Sequence, residues 1–467
     1  MSPKKPTAAS KADTSPEGEQ DSLRRQIPAM EKILKSTLFQ PILQEYGRSL
    51  VKDLVSMDLE LLRAGKGGAI ESGLAGLAER VEVRLGELRQ GTLRRVINGT
   101  GVIIHTNLGR APVSKEGWAE SGALVTGYSN LEFDLDQGER GSRELHLAAV
   151  ASRVFGCEAA ILTNNNAAAI LLLLASTAAG REVVVSRGEL VEIGGSFRVP
   201  EVIEQGGAKL REVGTTNRTR TKDYLDAVSR RTAAILRVSR SNFDIVGFTE
   251  SPTVEEMVEV AEKVKRQLLW DEGSGRVVDL SPYGFRKGTT IRELFEAGVD
   301  AVTCSTDKLI GSTQGGLILG RHEIVDRCRK HPLMRALRAG KESHANVSAT
   351  LLMFARGKHE ASVPIYKMLS TPIEELRSRA ERLAALPGAS VVDSESALGG
   401  GTTPTEVIAS CSVAIEGSAS RIARSLRLSD PPIIGRIVND QVTLDMRTIF
   451  PEEDQIVAAA LSRLSEF

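Results

Sequence analysis

From Glu158 to Gly320 short β-rich runs alternate with helical ones, and this alternation is the feature that most limits the folds available to the chain. Seven runs are predicted strands: AAILT, EVVVS, AKLREV, AAILRV, QLLW, AVTCS and GLILG. Helical patterns lie between most of them, such as NAAAILLLLASTAA after the first run and TVEEMVEVAEKVKR before QLLW. This alternation is typical of a mostly parallel sheet with crossover helices, so we predict an α/β fold.

Polar residues stand at the ends of three of the predicted strands. The run Asn164–Asn166 follows AAILT, Asp271 follows QLLW, and Ser305–Lys308 begins where AVTCS ends. In open sheets of this kind, ligands bind beyond the carboxyl ends of the strands. We therefore expect these residues to lie in one neighbourhood.

Each of these groups also has an ordinary structural explanation. Asparagines before a helix cap it, and an aspartate at a strand end is usually a turn residue. A lysine in a loop is usually a solvated charge. The separate signals therefore predict little about function when each is taken alone.

The combination matches the needs of pyridoxal 5′-phosphate. This cofactor uses a lysine for its covalent bond to the protein, an aspartate that keeps its pyridine nitrogen protonated, and a helix N-terminus with hydroxyls for its phosphate. One helix (TTIRELFEAG) and one strand (AVTCS) fit between Asp271 and Lys308, so both side chains can emerge at the same sheet edge. The predicted cofactor-binding residues are Lys308, Asp271, Ser305, Asn164, Asn165 and Asn166.

Composition excludes several other classes of protein. The 60 basic and 60 acidic side chains cancel, so no overall field indicates a polyanionic partner. The four cysteines have no CxxC spacing, which disfavours a structural zinc site or a disulfide framework and fits a reducing cytosol. Because no apolar run approaches the roughly 18 to 20 residues of a membrane span, we predict a cytoplasmic protein with no membrane partner.

The chain, 467 residues with 41% hydrophobic content, is long enough for a large core and one or two smaller domains. Residues 1–20 are polar and are predicted to form a disordered tail. Residues 21–95 show helical periodicity, residues 96–345 contain the alternating pattern, and residues 346–467 are predicted to form a small C-terminal domain.

Several long segments are far more specific than these patterns. INGTGVIIHTNLGRAP, NLEFDLDQGERGSR, SRGELVEIGGSFRVPEVIEQGGAKLREVGTTNRT and HPLMRALR resemble the bacterial selenocysteine synthases, the L-seryl-tRNA(Sec) selenium transferases. The resemblance runs from about Leu23 to Phe467. It implies a fold-type I pyridoxal phosphate transferase with a small α/β C-terminal domain. It also implies an N-terminal helical domain that binds tRNA and a homo-oligomeric ring of dimers, a decamer.

The reaction that this resemblance implies converts seryl-tRNA(Sec) to selenocysteinyl-tRNA(Sec) with selenophosphate, by elimination of water and addition of selenium. The lysine of the family motif that matches STDK is Lys308, and Asp307 beside it would position or tune that lysine. Arginine suits a phosphate-bearing donor because its planar guanidinium can form two parallel hydrogen bonds. By resemblance, the substrate-binding residues are Arg110, Arg335, Arg338 and His105.

The chain departs from the family at several positions near the predicted lysine. The family usually has glycine or proline where this chain has Thr306, Ser312 and Thr313, and leucine where it has Glu272. It usually has an aspartate at the position of Gly340 and a histidine near Ser239.

Two alternative functions therefore stay open. One is a pyridoxal phosphate lyase or transferase that acts on a free amino acid or amino sugar. The other is a catalytically inactive scaffold that binds tRNA. The N-terminal helical domain favours the tRNA substrate, and the retained Lys308 and Asp271 disfavour the scaffold.

Overall fold

The structure is a computed structural model that describes residues 29–63, 73–194 and 197–464. The chain divides into two compact units, Met1–Arg95 and Val96–Phe467. The predicted tail, residues 1–20, lies outside the described residues. Among the described residues we find no helix whose length and apolar character would let it span a membrane.

The first unit contains a small helical core of its own. Its helices are α1 (Met30–Leu34), α2 (Gln40–Tyr46), α3 (Arg48–Arg63) and α4 (Gly73–Gln90). Apolar residues spaced three and four apart along α3 and α4 are buried against one another, because this spacing places them on one face of each helix. The buried carboxylate of Asp58 pairs with Arg80 at 2.8 Å and with Arg84 at 2.7 Å.

The second unit contains all of the described strands. They are β1 (Ile97–Gly99), β2 (Phe133–Asp134), β3 (Glu139–Arg140), β4 (Ala159–Thr163), β5 (Glu182–Ser186), β6 (Glu192–Ile193), β7 (Phe197–Arg198), β8 (Lys209–Val213), β9 (Thr232–Val238), β10 (Gln267–Gly273), β11 (Ala301–Ser305), β12 (Gly316–Gly320), β13 (Ala389–Gly399), β14 (Thr403–Ile415), β15 (Ile433–Val438) and β16 (Gln441–Asp445).

Its helices surround these strands. They are α5 (Lys115–Thr126), α6 (Leu145–Phe155), α7 (Asn166–Thr177), α8 (Val199–Gln205), α9 (Thr221–Ala227), α10 (Val254–Val264), α11 (Ile291–Ala297), α12 (His322–Lys330), α13 (Met334–Leu337), α14 (Lys341–Ala355), α15 (His359–Ser362), α16 (Pro364–Ser370), α17 (Ile373–Ala384), α18 (Ala419–Arg427) and α19 (Asp454–Leu464). Four short 3₁₀ helices are Thr106–Leu108, Arg187–Glu189, Ser281–Tyr283 and Pro451–Glu453.

The seven predicted strands form one seven-stranded sheet in the order β4-β12-β11-β10-β9-β5-β8. Only β12 runs antiparallel to its neighbours, so the prediction of a mostly parallel sheet is confirmed. Both faces carry a hydrophobic core, which explains why most of these strands are continuous apolar runs instead of alternating ones. The prediction ended the strand QLLW at residue 270, whereas β10 continues to Gly273 and contains Asp271.

The C-terminal sheet has the order β1-β15-β16-β14-β13. Its first strand, β1, comes from the start of the unit and pairs in parallel with β15. The boundary predicted at residue 345 falls inside α14, whose Val347 and Leu351 are buried in a core shared with the large sheet. The separate core of the C-terminal sheet includes α17 from Leu376 onward, so we now propose a boundary near Ile373.

Candidate active site

The amine of Lys308 lies in a buried loop directly after β11. The residue is only 7% exposed, and its Nζ atom donates a hydrogen bond to the carbonyl oxygen of Gly401 at 3.3 Å. Burial lowers the pKa of Lys308, and the positive charge of Arg110 lowers it further, against the opposing effect of nearby carboxylates. A lowered pKa increases the share of neutral amine near pH 7, which is the form that acts as a nucleophile or a base.

The turn after β10 supports the lysine loop. The backbone N–H of Leu309 donates to the carbonyl of Ser274 at 3.0 Å. The buried carboxylate of Glu272 accepts hydrogen bonds from the backbone N–H groups of Gly275 at 2.5 Å and Arg276 at 3.3 Å, and from the hydroxyl of Ser274. Glu272 therefore holds in place the turn against which Lys308 is positioned.

The carboxylate of Asp271 is buried on the next strand of the sheet. Its Oδ1 atom accepts hydrogen bonds from Asn166 Nδ2 at 2.9 Å and from Thr303 Oγ1 at 2.8 Å. Burial raises the pKa of Asp271, while these two hydrogen bonds and the charge of Lys308 lower it. Both donors thus bond the same carboxylate oxygen, and Asp271 would be the residue that pairs with a cofactor's ring nitrogen.

Asp271 lies opposite Thr303 of β11, and Lys308 follows the end of that strand, so both residues lie at one edge of the sheet. The structure thus brings together the two residues on which the cofactor prediction depends. Ser305 is the buried last residue of β11 and lies between Asp271 and Lys308 in the sequence. Its carbonyl oxygen would be 2.5 Å from a Cβ atom on Gly275, which has φ +76°, so a glycine is needed at that contact.

The three asparagines have three different environments. Asn165 caps α7, since its side chain accepts a hydrogen bond from the N–H of Ala168 at 2.8 Å. Asn166 bonds to Asp271 instead, and its own Oδ1 is buried without a hydrogen-bond partner among the described residues. The side chain of Asn164 is exposed, and its backbone N–H donates to Leu337 at 2.9 Å. Helix capping thus explains only Asn165.

Asp307 faces Arg110. The Nη1 atom of Arg110 lies 2.6 Å from Asp307 Oδ2, and the other oxygen, Oδ1, is buried without a hydrogen-bond partner among the described residues. Arg110 has φ +65° and its N–H donates to the carbonyl of His105 at 2.9 Å, which closes a tight turn. Burial lowers the pKa of His105, whose Nδ1 has no hydrogen-bond partner among the described residues.

The other two predicted arginines lie beside the asparagine loop. Arg335 is exposed on α13, and Arg338 forms an isolated bridge with Thr163, at the end of β4. The Nη1 atom of Arg338 lies 3.0 Å from Glu132 Oε1, and Arg143 also pairs with this carboxylate. Arg140 contacts its Oε2 at 3.7 Å. The resulting group of three arginines and one glutamate has an excess of positive charge.

Several of these partners have no role in the sequence-based prediction. Thr303 and Gly401 contact the predicted residues only through the fold, and no local pattern marks them. Glu132, Arg140 and Arg143 lie in NLEFDLDQGERGSR, a segment that carried the family resemblance without any role for its residues. That segment was the one available signal for the arginine group.

The unusual residues of the lysine loop bond to one another and to α14. Thr306 Oγ1 donates to the carbonyl of Thr313 at 2.6 Å, and Ser312 Oγ donates to Asn346 Oδ1 at 2.8 Å. Thr350 Oγ1 donates to Ser312 at 3.2 Å. The hydroxyls of Thr306 and Ser312 therefore fix the loop by hydrogen bonds, whereas the hydroxyl of Thr313 is buried without a hydrogen-bond partner among the described residues.

We expect Asn166→Ala to weaken cofactor binding roughly tenfold, the effect of losing one hydrogen bond to a charged group. Without the amide donor the pKa of Asp271 rises further, so less of the carboxylate is available to pair with a pyridinium. A fluorescence titration of the cofactor-free protein measures the affinity. Asn217→Ala, which removes an exposed amide outside the predicted site, is the matched control; equal affinities for the two variants would contradict the assigned role of Asn166.

These residues fit pyridoxal 5′-phosphate. The site offers a buried amine with a lowered pKa, a buried carboxylate that interacts with it, a hydroxyl on Ser305 and the N-terminus of α7. The unpartnered Oδ1 of Asn166 adds a polar atom that a bound molecule could satisfy.

Comparison with known proteins agrees with this geometry. A model of the L-seryl-tRNA selenium transferase family matches residues 96–450, and a model of the selenocysteine synthase N-terminal domain matches residues 24–63. The L-seryl-tRNA(Sec) selenium transferase of Geobacter sulfurreducens is 42% identical over 94% of this chain and 98% of its own. The Aquifex aeolicus relative of the same name is 37% identical over 95% of this chain and 99% of its own.

Among solved structures, a D-glucosaminate-6-phosphate ammonia-lyase matches with a TM-score of 0.60 at 22% identity, covering 83% of this chain and 98% of its own. At this identity the likeness concerns the fold alone, and it agrees with the α/β architecture described above. The sequence matches, by contrast, extend over nearly the whole chain, and the chain belongs to the L-seryl-tRNA selenium transferase family.

Proposed function

We propose that this protein converts L-seryl-tRNA(Sec) to L-selenocysteinyl-tRNA(Sec) with selenophosphate as the selenium donor. The observation that carries the proposal is the placement of two buried groups at one sheet edge, the amine of Lys308 after β11 and the carboxylate of Asp271 on the neighbouring strand β10, in a member of this family. Burial disfavours the charged form of each group, and such placement is common at functional sites.

The cofactor is pyridoxal 5′-phosphate. Lys308 would bond to its aldehyde, Asp271 would pair with its pyridine nitrogen, and Ser305 with the N-terminus of α7 would hold its phosphate. When bound, it supplies an electron sink that stabilises negative charge on the α carbon of the seryl group.

The chemistry of the protein's own residues follows from the lowered pKa of Lys308. Once freed from the cofactor, the neutral amine can take the α proton of the seryl group. The same group, now protonated, can give a proton to the departing β hydroxyl, which leaves as water. The selenium atom of selenophosphate then adds to the β carbon while the α carbon regains a proton, and water breaks the P–Se bond to release phosphate. The negative charge of Asp307 favours the protonated form of Lys308, and Arg110 opposes it.

We assign the anionic donor to Arg110, Arg335 and Arg338, with His105 near the first of them. Two of these arginines already pair with carboxylates, Arg110 with Asp307 and Arg338 with Glu132. A bound phosphate group would therefore share or replace these partners. The excess positive charge around Glu132 supports an anion site there.

Arg338→Lys should raise the KM for selenophosphate about tenfold with a smaller change in kcat, because lysine keeps the charge but cannot form two parallel hydrogen bonds. Steady-state kinetics at saturating seryl-tRNA measure both constants. Arg329→Lys is the control, since Arg329 pairs with Asp326 on the exposed face of α12. An unchanged KM in Arg338→Lys would remove Arg338 from the donor site.

The N-terminal unit is proposed to bind the tRNA. We expect a protein reduced to residues 96–467 to keep cofactor absorption but to lose at least about 100-fold of its activity on seryl-tRNA(Sec), through lost tRNA affinity. Incubation of both forms with seryl-tRNA(Sec) and selenophosphate tests this. Turnover of a free amino acid or amino sugar by the shortened form would favour the lyase alternative, and tRNA binding by a full-length protein without a cofactor spectrum would favour the scaffold.

Assembly and location are proposed from the family alone. We propose a homo-oligomeric ring of dimers that works in the cytoplasm, where charged tRNA is available. Sedimentation of the purified protein measures its size, and a stable monomer would contradict the ring.

A further inference from the structure

A turn of the C-terminal sheet reaches the lysine site. It follows Gly399, the last residue of β13, and contains Gly400 and Gly401; the carbonyl oxygen of Gly401 accepts the hydrogen bond of Lys308 Nζ at 3.3 Å. Gly401 and Lys308 are both buried. The amine of the large domain is thus held by a backbone group of the C-terminal sheet.

A side chain at residue 401 would displace the end of the Lys308 side chain. A Cβ atom there would lie 2.5 Å from Lys308 Nζ and 3.0 Å from Cε, and Gly401 has φ +84°, which also favours glycine. By contrast, a Cβ atom on Gly400 would have only Thr106 Oγ1 within 4 Å, at 3.3 Å, and the φ of Gly400 is not in the left-handed region. The backbone angle and the contact with Lys308 therefore favour glycine at residue 401 but not at residue 400.

The turn is fixed from two sides. Thr402 Oγ1 donates to the carbonyl of Gly399 at 2.7 Å. The strand leading into the turn pairs with the segment before His105, since Ile104 N–H donates to Leu398 at 2.7 Å. The carbonyl of Gly401 consequently has a defined position relative to both the lysine loop and the turn that carries Arg110.

We propose that the Gly401 carbonyl is the acceptor that holds the Lys308 amine whenever this amine is not bonded to the cofactor, which makes Gly401 a positioning residue of the reaction. The inference deepens the proposed function, because it assumes that Lys308 leaves and rejoins the cofactor in each turnover. A buried amine without an acceptor would adopt several rotamers, and its proton transfer would lose its direction. A backbone acceptor provides this constraint without a second titrating group.

The experiment uses the full-length, cofactor-free protein and measures the pH dependence of acetic anhydride labelling at Lys308 by mass spectrometry. A carbonyl acceptor favours the ammonium form, so losing it should lower the midpoint of labelling. We expect Gly401→Ala to lower this midpoint by about one pH unit, the equivalent of one hydrogen bond to a charged group. Gly400→Ala should leave the midpoint at the wild-type value.

One further variant tests the contact itself. Two further measurements test its role in the reaction and exclude a folding defect. Thr402→Val removes the bond that fixes the turn without adding atoms beside Lys308, and it should lower the midpoint in the same direction by a smaller amount. In steady-state turnover, Gly401→Ala should reduce kcat at least tenfold with little change in the KM for selenophosphate. Near-ultraviolet circular dichroism verifies that each variant is folded.

Equal labelling midpoints in Gly401→Ala, Gly400→Ala and wild type would overturn the proposed contact. A shifted midpoint with an unchanged kcat would overturn its role in the reaction. Labelling is done without cofactor, so it does not depend on the proposed function. If that function is wrong, the wild-type protein would form no selenocysteinyl-tRNA, but the labelling midpoint of Gly401→Ala would still shift.

Discussion

Lys308→Ala should reduce the formation of selenocysteinyl-tRNA(Sec) by about 10³-fold or more, because one substitution removes both the covalent attachment point and the base. Lys308→Arg should be as inactive, since a guanidinium keeps the charge but neither bonds to an aldehyde nor releases a proton near pH 7. Single-turnover assays with labelled seryl-tRNA(Sec) and selenophosphate measure the loss.

The stability of the Lys308→Ala variant distinguishes lost chemistry from lost folding. Burial lowers the pKa of Lys308, so its charged form opposes folding below that pKa, and removing the amine should not lower Tm at pH 7. Lys330→Ala, at an exposed position of α12, is the control and should retain full activity. Substantial turnover by Lys308→Ala would contradict the assigned role.

Asp271→Asn should lower kcat by roughly 100-fold or more, because an amide of the same shape cannot keep a pyridine nitrogen protonated as a carboxylate does. The replacement is close to isosteric, so the hydrogen bond from Thr303 can be retained by the amide oxygen. The same single-turnover assay, with a cofactor titration, separates a slower reaction from weaker binding.

We also predict the direction in which Asp271→Asn changes the stability of the protein. The pKa of Asp271 is raised in the folded protein, so its contribution to stability is present at low pH and is lost as the pH rises through the raised pKa. At pH 7, Asp271→Asn should therefore have an equal or higher Tm. Asp279→Asn, at a surface turn beside Ser281, is the control. Full activity in Asp271→Asn would contradict a ring-nitrogen partner.

The sheet was predictable because its strands are local, continuous apolar runs separated by helices. The meeting of Asp271 and Lys308 was predictable too, since parallel strands end at one edge of a sheet. The same rule did not predict which asparagine caps α7. The choice between Asn165 and Asn166 depends on backbone angles at the strand end, which sequence spacing does not specify.

Contacts between distant segments were not predictable. Gly401 reaches Lys308 through a hairpin of another sheet, and Glu132 reaches Arg338 from a short hairpin segment. β1 joins the C-terminal sheet although it begins the unit, a pairing that local periodicity does not indicate. Such pairings depend on tertiary packing, for which a single sequence has no local signal.

The central claim is that Lys308 carries the cofactor, and borohydride reduction of the purified, cofactor-loaded protein tests it most directly. Reduction fixes the bond between the cofactor and its lysine, and peptide mass spectrometry then locates the modified residue. We predict one phosphopyridoxyl group per chain, on Lys308. A label on another lysine, such as Lys287 or Lys341, or no label on a protein that forms selenocysteinyl-tRNA, would contradict it.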